Sequence, residues 1–219
     1  MKINKILISC LIISAISFSC KRSEKKNPSE NQQVCTNTVD TAIVDCNYSF
    51  EQAIFGTKAP KSIINQLELI NVRYYSMDGK IHQGQILVNK AIKNNVKVIF
   101  EYILKQKFPI AQAIPIVKYN WNDNKSMEAN NTYSFCYRDI SYSKHALGMA
   151  IDINPFLNPN RWKKEYSYRK NKPVGAVYNS HIPGTFSAEC KIVAKFKELG
   201  FFWGHNFKRN FDDHHFEKQ

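Results

Sequence analysis

The segment Ala150-Ile151-Asp152-Ile153-Asn154-Pro155 sets a carboxylate in a strand built otherwise of apolar or small residues. Ile151 and Ile153 alternate with Ala150, Asp152 and Asn154, the period of a β-strand, and Pro155 closes the run. An ionised carboxylate in such surroundings is costly unless a cation or several hydrogen-bond donors meet it. Arg138 is one nearby source of positive charge and His145 is another. His145 lies seven positions before Asp152, an odd separation that sends the two side chains to opposite faces of a flat strand. Gly148 between them permits a bend that could turn both toward one point.

A second cluster, Asp212-Asp213-His214-His215-Phe216-Glu217, gathers three carboxylates and two imidazoles in six residues. Each part has a plain structural explanation when taken singly. A lone buried histidine is usually satisfied by the core, a lone aspartate is usually a cap or an ion-pair partner, and a polar run is often a solvated tail. Together they supply what a catalytic zinc site needs: three N/O protein ligands, an open position for water, and a carboxylate to take that water's proton.

The rest of the chain gives these clusters a frame. Leu67–Tyr75 and Ile81–Val88 read as strands joined through Asp78-Gly79, a hairpin turn. Ile92, Val96, Ile99, Phe100 and Ile103 then recur at helical spacing until Pro109. Ile114–Val117 is apolar, but Pro115 demotes it to an edge strand or loop. Residues 157–186 lack periodicity and read as a long functional loop. Ser187 is the predicted N-cap of a helix bearing Ile192, Val193, Phe196 and Leu199, stopped by Gly200, and Phe201–Trp203 begins a further strand. Strands first and last, helices between them and hairpin connections argue for an α+β fold.

The N-terminus reads as an export signal. Lys2 and Lys5 precede the apolar run Ile6–Phe18, too short to span a bilayer comfortably, and Ser19-Cys20 follows. That pattern resembles a bacterial lipoprotein signal, with cleavage before Cys20, the expected lipid attachment site. Residues 1–19 are therefore read as signal peptide, 20–45 as a flexible tether and 46–219 as the globular domain.

The formal net charge is +13, and removing residues 1–19 takes away two lysines and no acids. No nucleic-acid motif accompanies the basic residues, which excludes a nucleic-acid partner and favours an anionic membrane surface or a carboxylate-bearing wall polymer. Cys35, Cys46, Cys136 and Cys190 make an even set for an oxidising compartment. A Cys35–Cys46 staple would leave Cys136 with Cys190, one of the pairings the count permits. None has the C-x-x-C spacing of a thiolate zinc site.

The pattern Ser143-x-His145-x-x-Gly148-x-Ala150-x-Asp152, followed by Asp212-x-x-His215-Phe216-Glu217, resembles the VanY-like zinc D-alanyl-D-alanine carboxypeptidase family. That family includes D-Ala-D-Ala dipeptidases and L-alanyl-D-glutamate endopeptidases. The resemblance runs from about Leu69 to Glu217 and includes Tyr74-Tyr75-x-x-Asp78-Gly79-x-x-His82-x-Gly84 and Asn130-Asn131-Thr132-x-Ser134-Phe135-x-x-Arg138.

It implies a Hedgehog/DD-peptidase-like fold, a small central antiparallel sheet with flanking helices. It implies Zn2+ held by His145, Asp152 and His215, with Asp212 as general base, Arg138 holding substrate or oxyanion, Ser143 contacting substrate and Glu217 orienting a ligand imidazole. The expected function is a metallopeptidase acting on peptidoglycan stem peptides, foremost a D-alanyl-D-alanine carboxypeptidase. An L-alanyl-D-glutamate endopeptidase and a non-catalytic wall-binding lipoprotein of the same fold are the alternatives. A monomer is expected, exported and anchored by lipid in the cell envelope facing the periplasm.

Three points stay open in the sequence. In a regular strand Asp213, not Asp212, would share a face with His215, so the three-residue offset requires a bend. His214 could compete with His215 as ligand. His205, where the family often has glycine, is either a cleft or a surface residue, while His82 and His181 read as structural.

Overall fold

The computed structural model describes residues 41–140 and 142–219; the signal, Cys10, Cys20, Cys35 and most of the expected tether lie outside the described residues. Among the described residues no helix is long and apolar enough to cross a membrane. The described residues from Thr41 to Gln219 form one unit. The architecture is mixed α+β.

Strand β1 (Ile43–Val44) already belongs to it, within the stretch read as tether, and pairs parallel with His82-Gln83. Two single-turn helices, α1 (Phe50–Ala53) and α2 (Lys61–Ile64), lead into the long hairpin of β2 (Leu67–Tyr75) and β3 (Ile81–Asn89). The hairpin register runs unbroken from Leu67↔Asn89 to Tyr75↔Ile81. Ile70, Val72 and Tyr74 alternate into the core as the period of two requires. Helix α3 (Lys93–Lys105) lays Val96, Ile99, Phe100 and Ile103 onto that face, all essentially inaccessible. Fully burying each such side chain is worth roughly 1.5–3 kcal/mol. This part of the frame is as the periodicity predicts.

The middle of the chain is less regular. Strand β4 (Gln112–Ala113) precedes Pro115, and the residues after it form a 3₁₀ turn, Ile116–Tyr119, rather than an edge strand. Helix α4 (Asp123–Glu128) is capped by the Asn122 side chain, and β5 (Asn131–Thr132) pairs parallel with β4.

A second three-stranded sheet, antiparallel throughout, carries the two clusters of interest. It is ordered β6 (Ala150–Asp152), β10 (His215–Glu217), β8 (Phe202–Trp203). The expected loop 157–186 contains a strand, β7 (Asn160–Trp162), which pairs antiparallel with β9 (Asn210–Asp212).

Helix α5 (Lys191–Glu198) starts at Cys190, not at Ser187. Ser187 instead closes a turn, its carbonyl accepting from the Cys190 amide. The C-terminal stop is as expected: Gly200 (φ +78°) takes the left-handed conformation, with Gly200 N–H bonded to Lys197 O and Phe201 N–H to Phe196 O.

Of the pairings the count permits, Cys136 with Cys190 is not formed in the structure, where Cys46, Cys136 and Cys190 are all free thiols. Cys136 is buried with Ile116 and Tyr133, whereas Cys190 packs against the main core, so the two belong to different clusters. Burial pushes the Cys136 thiol up to about 11, which keeps it protonated and unreactive.

Candidate metal centre and cleft

His145 and Asp152 are brought together by the bend at Gly148. His145 opens a 3₁₀ turn (His145–Leu147), Gly148 follows at φ +65°, and β6 begins two residues later. A Cβ at Gly148 would lie 2.9 Å from both the Asn89 amide nitrogen and Leu67 Cδ2, so only glycine fits where the turn crosses the hairpin. His215 arrives from β10, directly opposite Asp152 in the register. Strand alternation sends Phe216 into the core, stacked on Phe196 at 3.8 Å, and leaves His215 and Glu217 on the other face.

His145 Nε2, Asp152 Oδ1 and His215 Nδ1 form a triangle with all three sides at 3.0 Å, and all three residues are buried. The outer nitrogens fix the tautomers. His145 Nδ1 lies 2.6 Å from the Ser134 carbonyl, which can only accept, so Nδ1 carries the proton. His215 Nε2 faces the Glu217 carboxylate at 3.1 Å and donates to it. In the neutral imidazoles both inner nitrogens then present lone pairs to each other and to a carboxylate oxygen. Three converging acceptors at this spacing need a cation or added protons. Burial opposes protonation of His215, yet its hydrogen bonds to Asp152 and Glu217 push it up to about 10. A two-histidine, one-carboxylate set with its outer nitrogens bound to acceptors fits Zn2+, and these are the described residues grouped as able to hold a metal.

The triangle opens into a cavity of about 330 Å³, whose wall includes Arg138, Ser143, Lys144, Asp212 and Glu217. Asp212 ends β9, and the chain turns at Asp213-His214 before β10, which supplies the bend that the three-residue offset demands. Asn160 Nδ2 donates to Asp212 Oδ2 at 3.1 Å across the β7–β9 pair. His214 Nε2 lies 2.9 Å from Asp212 Oδ1, an ionic contact outside hydrogen-bond geometry that leaves this oxygen without a hydrogen-bond partner. His214 Nδ1 donates to Asn158 O at 2.7 Å, and its ring stands 3.7 Å from Asp152 Oδ2. Burial opposes its charge, but the Asp212 and Asp152 carboxylates outweigh that and push His214 up to about 9. The resulting imidazolium keeps the Asp212 carboxyl below its ordinary range despite burial. His214 is thus held away from the triangle, as a cation between two carboxylates.

Asp213 does not reach the cavity. It is fully buried, bound to Arg161 Nε at 2.7 Å and His205 Nδ1 at 2.6 Å. His205, stacked on Trp203, is therefore bound to Asp213 and does not line the cleft. Arg138 pairs with Asp123 at 2.8 Å instead of with Asp152, and its Nε is buried without a hydrogen-bond partner. Ser143 lines the cavity beside it. His82 is held by Asp45 at 2.8 Å and Asp78 at 3.2 Å, a structural setting outside the cleft. Sequence reasoning missed Asp123, Asn160 and the role of His214. Only His214 carried a signal, its place beside His215; Asp123 and Asn160 are ordinary polar residues that the fold alone recruits.

Residues 138–218 match a family model described as D-alanyl-D-alanine carboxypeptidase. The matched stretch contains Arg138, Ser143, His145, Asp152, Asp212, His215 and Glu217. No curated protein and no solved structure gives a significant match.

Proposed function

We propose, from a chain whose residues 138–218 carry the D-alanyl-D-alanine carboxypeptidase family pattern, that this protein is a zinc metallopeptidase cleaving peptidoglycan stem peptides, foremost as a D,D-carboxypeptidase. The family match supports a peptidase acting on peptidoglycan. The observation that carries the finer reading is the triangle of His145, Asp152 and His215 sharing one cavity with the Asp212 carboxylate. A Hedgehog/DD-peptidase-like fold belongs to the same proposal, with the β6–β10–β8 sheet as its central sheet. So does export to the cell envelope with a lipid on Cys20, facing the periplasm.

His145 Nε2, Asp152 Oδ1 and His215 Nδ1 would hold the ion. A bound zinc supplies Lewis acidity toward the scissile carbonyl and makes an attacking water more acidic. Asp212 accepts that water's proton at Oδ1 and returns it to the leaving amine. Asn160 holds the other oxygen of Asp212, fixing the carboxylate plane. Arg138, anchored by Asp123 and lining the cavity, offers its guanidinium to substrate or to the developing oxyanion. Ser143 orients the substrate, and Glu217 holds the His215 ring in its metal-ready tautomer.

The test is mass spectrometry of purified stem peptides after incubation with the protein, with zinc and with a chelator. Zinc-dependent loss of one terminal alanine is expected. Release of L-Ala would make it the endopeptidase. No cleavage by protein holding one equivalent of zinc would overturn the catalytic reading in favour of a binding protein.

A further inference from the structure

The segment between Asn160 and Lys172 leaves the cleft wall and returns to it. Asn160 N–H donates to Lys172 O at 2.7 Å and Lys172 N–H donates to Asn160 O at 3.0 Å, so these two residues clasp the base of a finger spanning 161–171. Both clasp residues line the cavity that holds the metal triangle and Asp212. Whatever rests on the finger is therefore at the rim of the cleft.

The finger and its paired strand are strongly basic. From Arg161 to Lys172 there are six cations and one acid, and Lys208 and Arg209 adjoin them through the β7–β9 pairing. Arg161 is committed inward, to Asp213 and the Tyr178 ring. Lys164, Arg169, Lys170, Lys208 and Arg209 are exposed and have no carboxylate partner among the described residues. Aromatic rings hold the guanidinium groups in place: Arg169 lies 4.7 Å from the Trp162 ring centre, and Arg209 lies 5.9 Å from that of Tyr166. Trp162 donates its indole N–H to Lys170 O, which ties the ring down. A membrane-inserting aromatic needs a free face and a free edge. Here both Trp162 and Tyr166 are half-buried under cations, and the surface presented is ordered positive charge.

We propose that the 161–172 finger, with Lys208 and Arg209, is a docking surface for the carboxylate-bearing glycan-peptide polymer whose stem peptides enter the cleft. The identity of the polymer rests on the peptidase reading; the polyanion-binding surface rests on the finger itself. Polymer carboxylates meet the outward cations, and the clasp at Asn160 and Lys172 delivers the adjoining stem to Asp212.

The test uses the full chain in detergent and a triple variant, Arg169→Gln, Lys170→Gln and Arg209→Gln. Co-sedimentation with insoluble peptidoglycan sacculi is measured, alongside retention by mixed micelles of phosphatidylglycerol or phosphatidylcholine. Loss of three exposed ionic contacts should weaken sacculus binding about tenfold. The salt dependence should flatten, while cleavage of a free soluble stem peptide is unchanged. The charge-keeping variant Arg169→Lys with Arg209→Lys should retain sacculus binding.

Undiminished sacculus binding by the triple variant overturns the proposal. A loss confined to phosphatidylglycerol micelles overturns it in favour of a lipid surface. Sacculus binding that depends on the finger in a protein that cleaves no peptide sustains the docking surface and removes the peptidase reading. Should the triple variant melt lower, Lys170→Gln with Lys208→Gln repeats the test. Neither ammonium group has an ion pair or hydrogen bond among the described residues, and about a threefold loss is expected.

Discussion

Asp212 and Asp213 are adjacent carboxylates with opposite environments. Asp212 lines the cavity with one oxygen held by Asn160 and the other beside His214, whereas Asp213 is bound to Arg161 and His205 away from it. Asp212→Asn should therefore retain zinc and the folded state but lose roughly 100-fold or more in kcat, the scale of general acid–base catalysis. Asp213→Asn should instead lower stability by roughly 1–2 kcal/mol, since it leaves the half-buried Arg161 guanidinium without its carboxylate. Urea melts beside kinetics separate the two. His82 gives a pH-dependent counterpart outside the cleft. Burial opposes its charge, but Asp45 and Asp78 outweigh that and raise its pKa, with the Tyr74 ring stacked alongside. A raised folded pKa gives stability that is complete below the unfolded value of about 6.5 and fades as pH rises through the folded value. The melting-temperature gap between wild type and His82→Gln should thus be larger at pH 6 than at pH 9. At this scale the sequence exposed the site candidates because histidines and carboxylates were dense and oddly spaced. It hid Asp123 and Asn160 because their relevance is purely spatial.

At the scale of elements, the hairpin β2–β3 and helix α3 were legible because their apolar periods are long and unambiguous. Helix α5 was legible in its body and its glycine stop, but not at its start. Ser187 has the right chemistry for a cap, yet the backbone turns once more and the helix begins after Cys190 with no side-chain cap. The short strands β6 to β10 could not be bounded from two or three residues each. Their positions are set by pairings with distant segments rather than by local preference. The bend before β6 was legible as Gly148. Replacing it by alanine should cost about 1–2 kcal/mol from the left-handed backbone alone, and more from the 2.9 Å approach to Asn89 and Leu67. Because the bend also aims His145, isothermal titration should show weaker zinc binding by Gly148→Ala even where it remains folded.

For the whole molecule, the triangle of converging lone pairs ties the 3₁₀ turn at His145 to β6 and β10. An ion bound there stabilises the folded state alone, so chelation should lower the melting temperature and one equivalent of zinc should restore it. His145→Ala and His215→Ala should abolish both the chelator response and the stoichiometric zinc. The α+β class was readable from the order of elements. The arrangement of a hairpin-and-helix scaffold and a second small sheet on one shared core was not, since it depends on which strands find each other.

That arrangement also sets an order in time. The hairpin closes between residues at most 22 positions apart in its register, while Asp152 meets His215 across 63 positions and His145 meets it across 70. Closing long loops is slow, so the long-range pairings follow the hairpin. The scaffold is therefore the early-forming part, and the candidate metal site is completed last. On refolding, circular dichroism should recover before stoichiometric zinc binding returns.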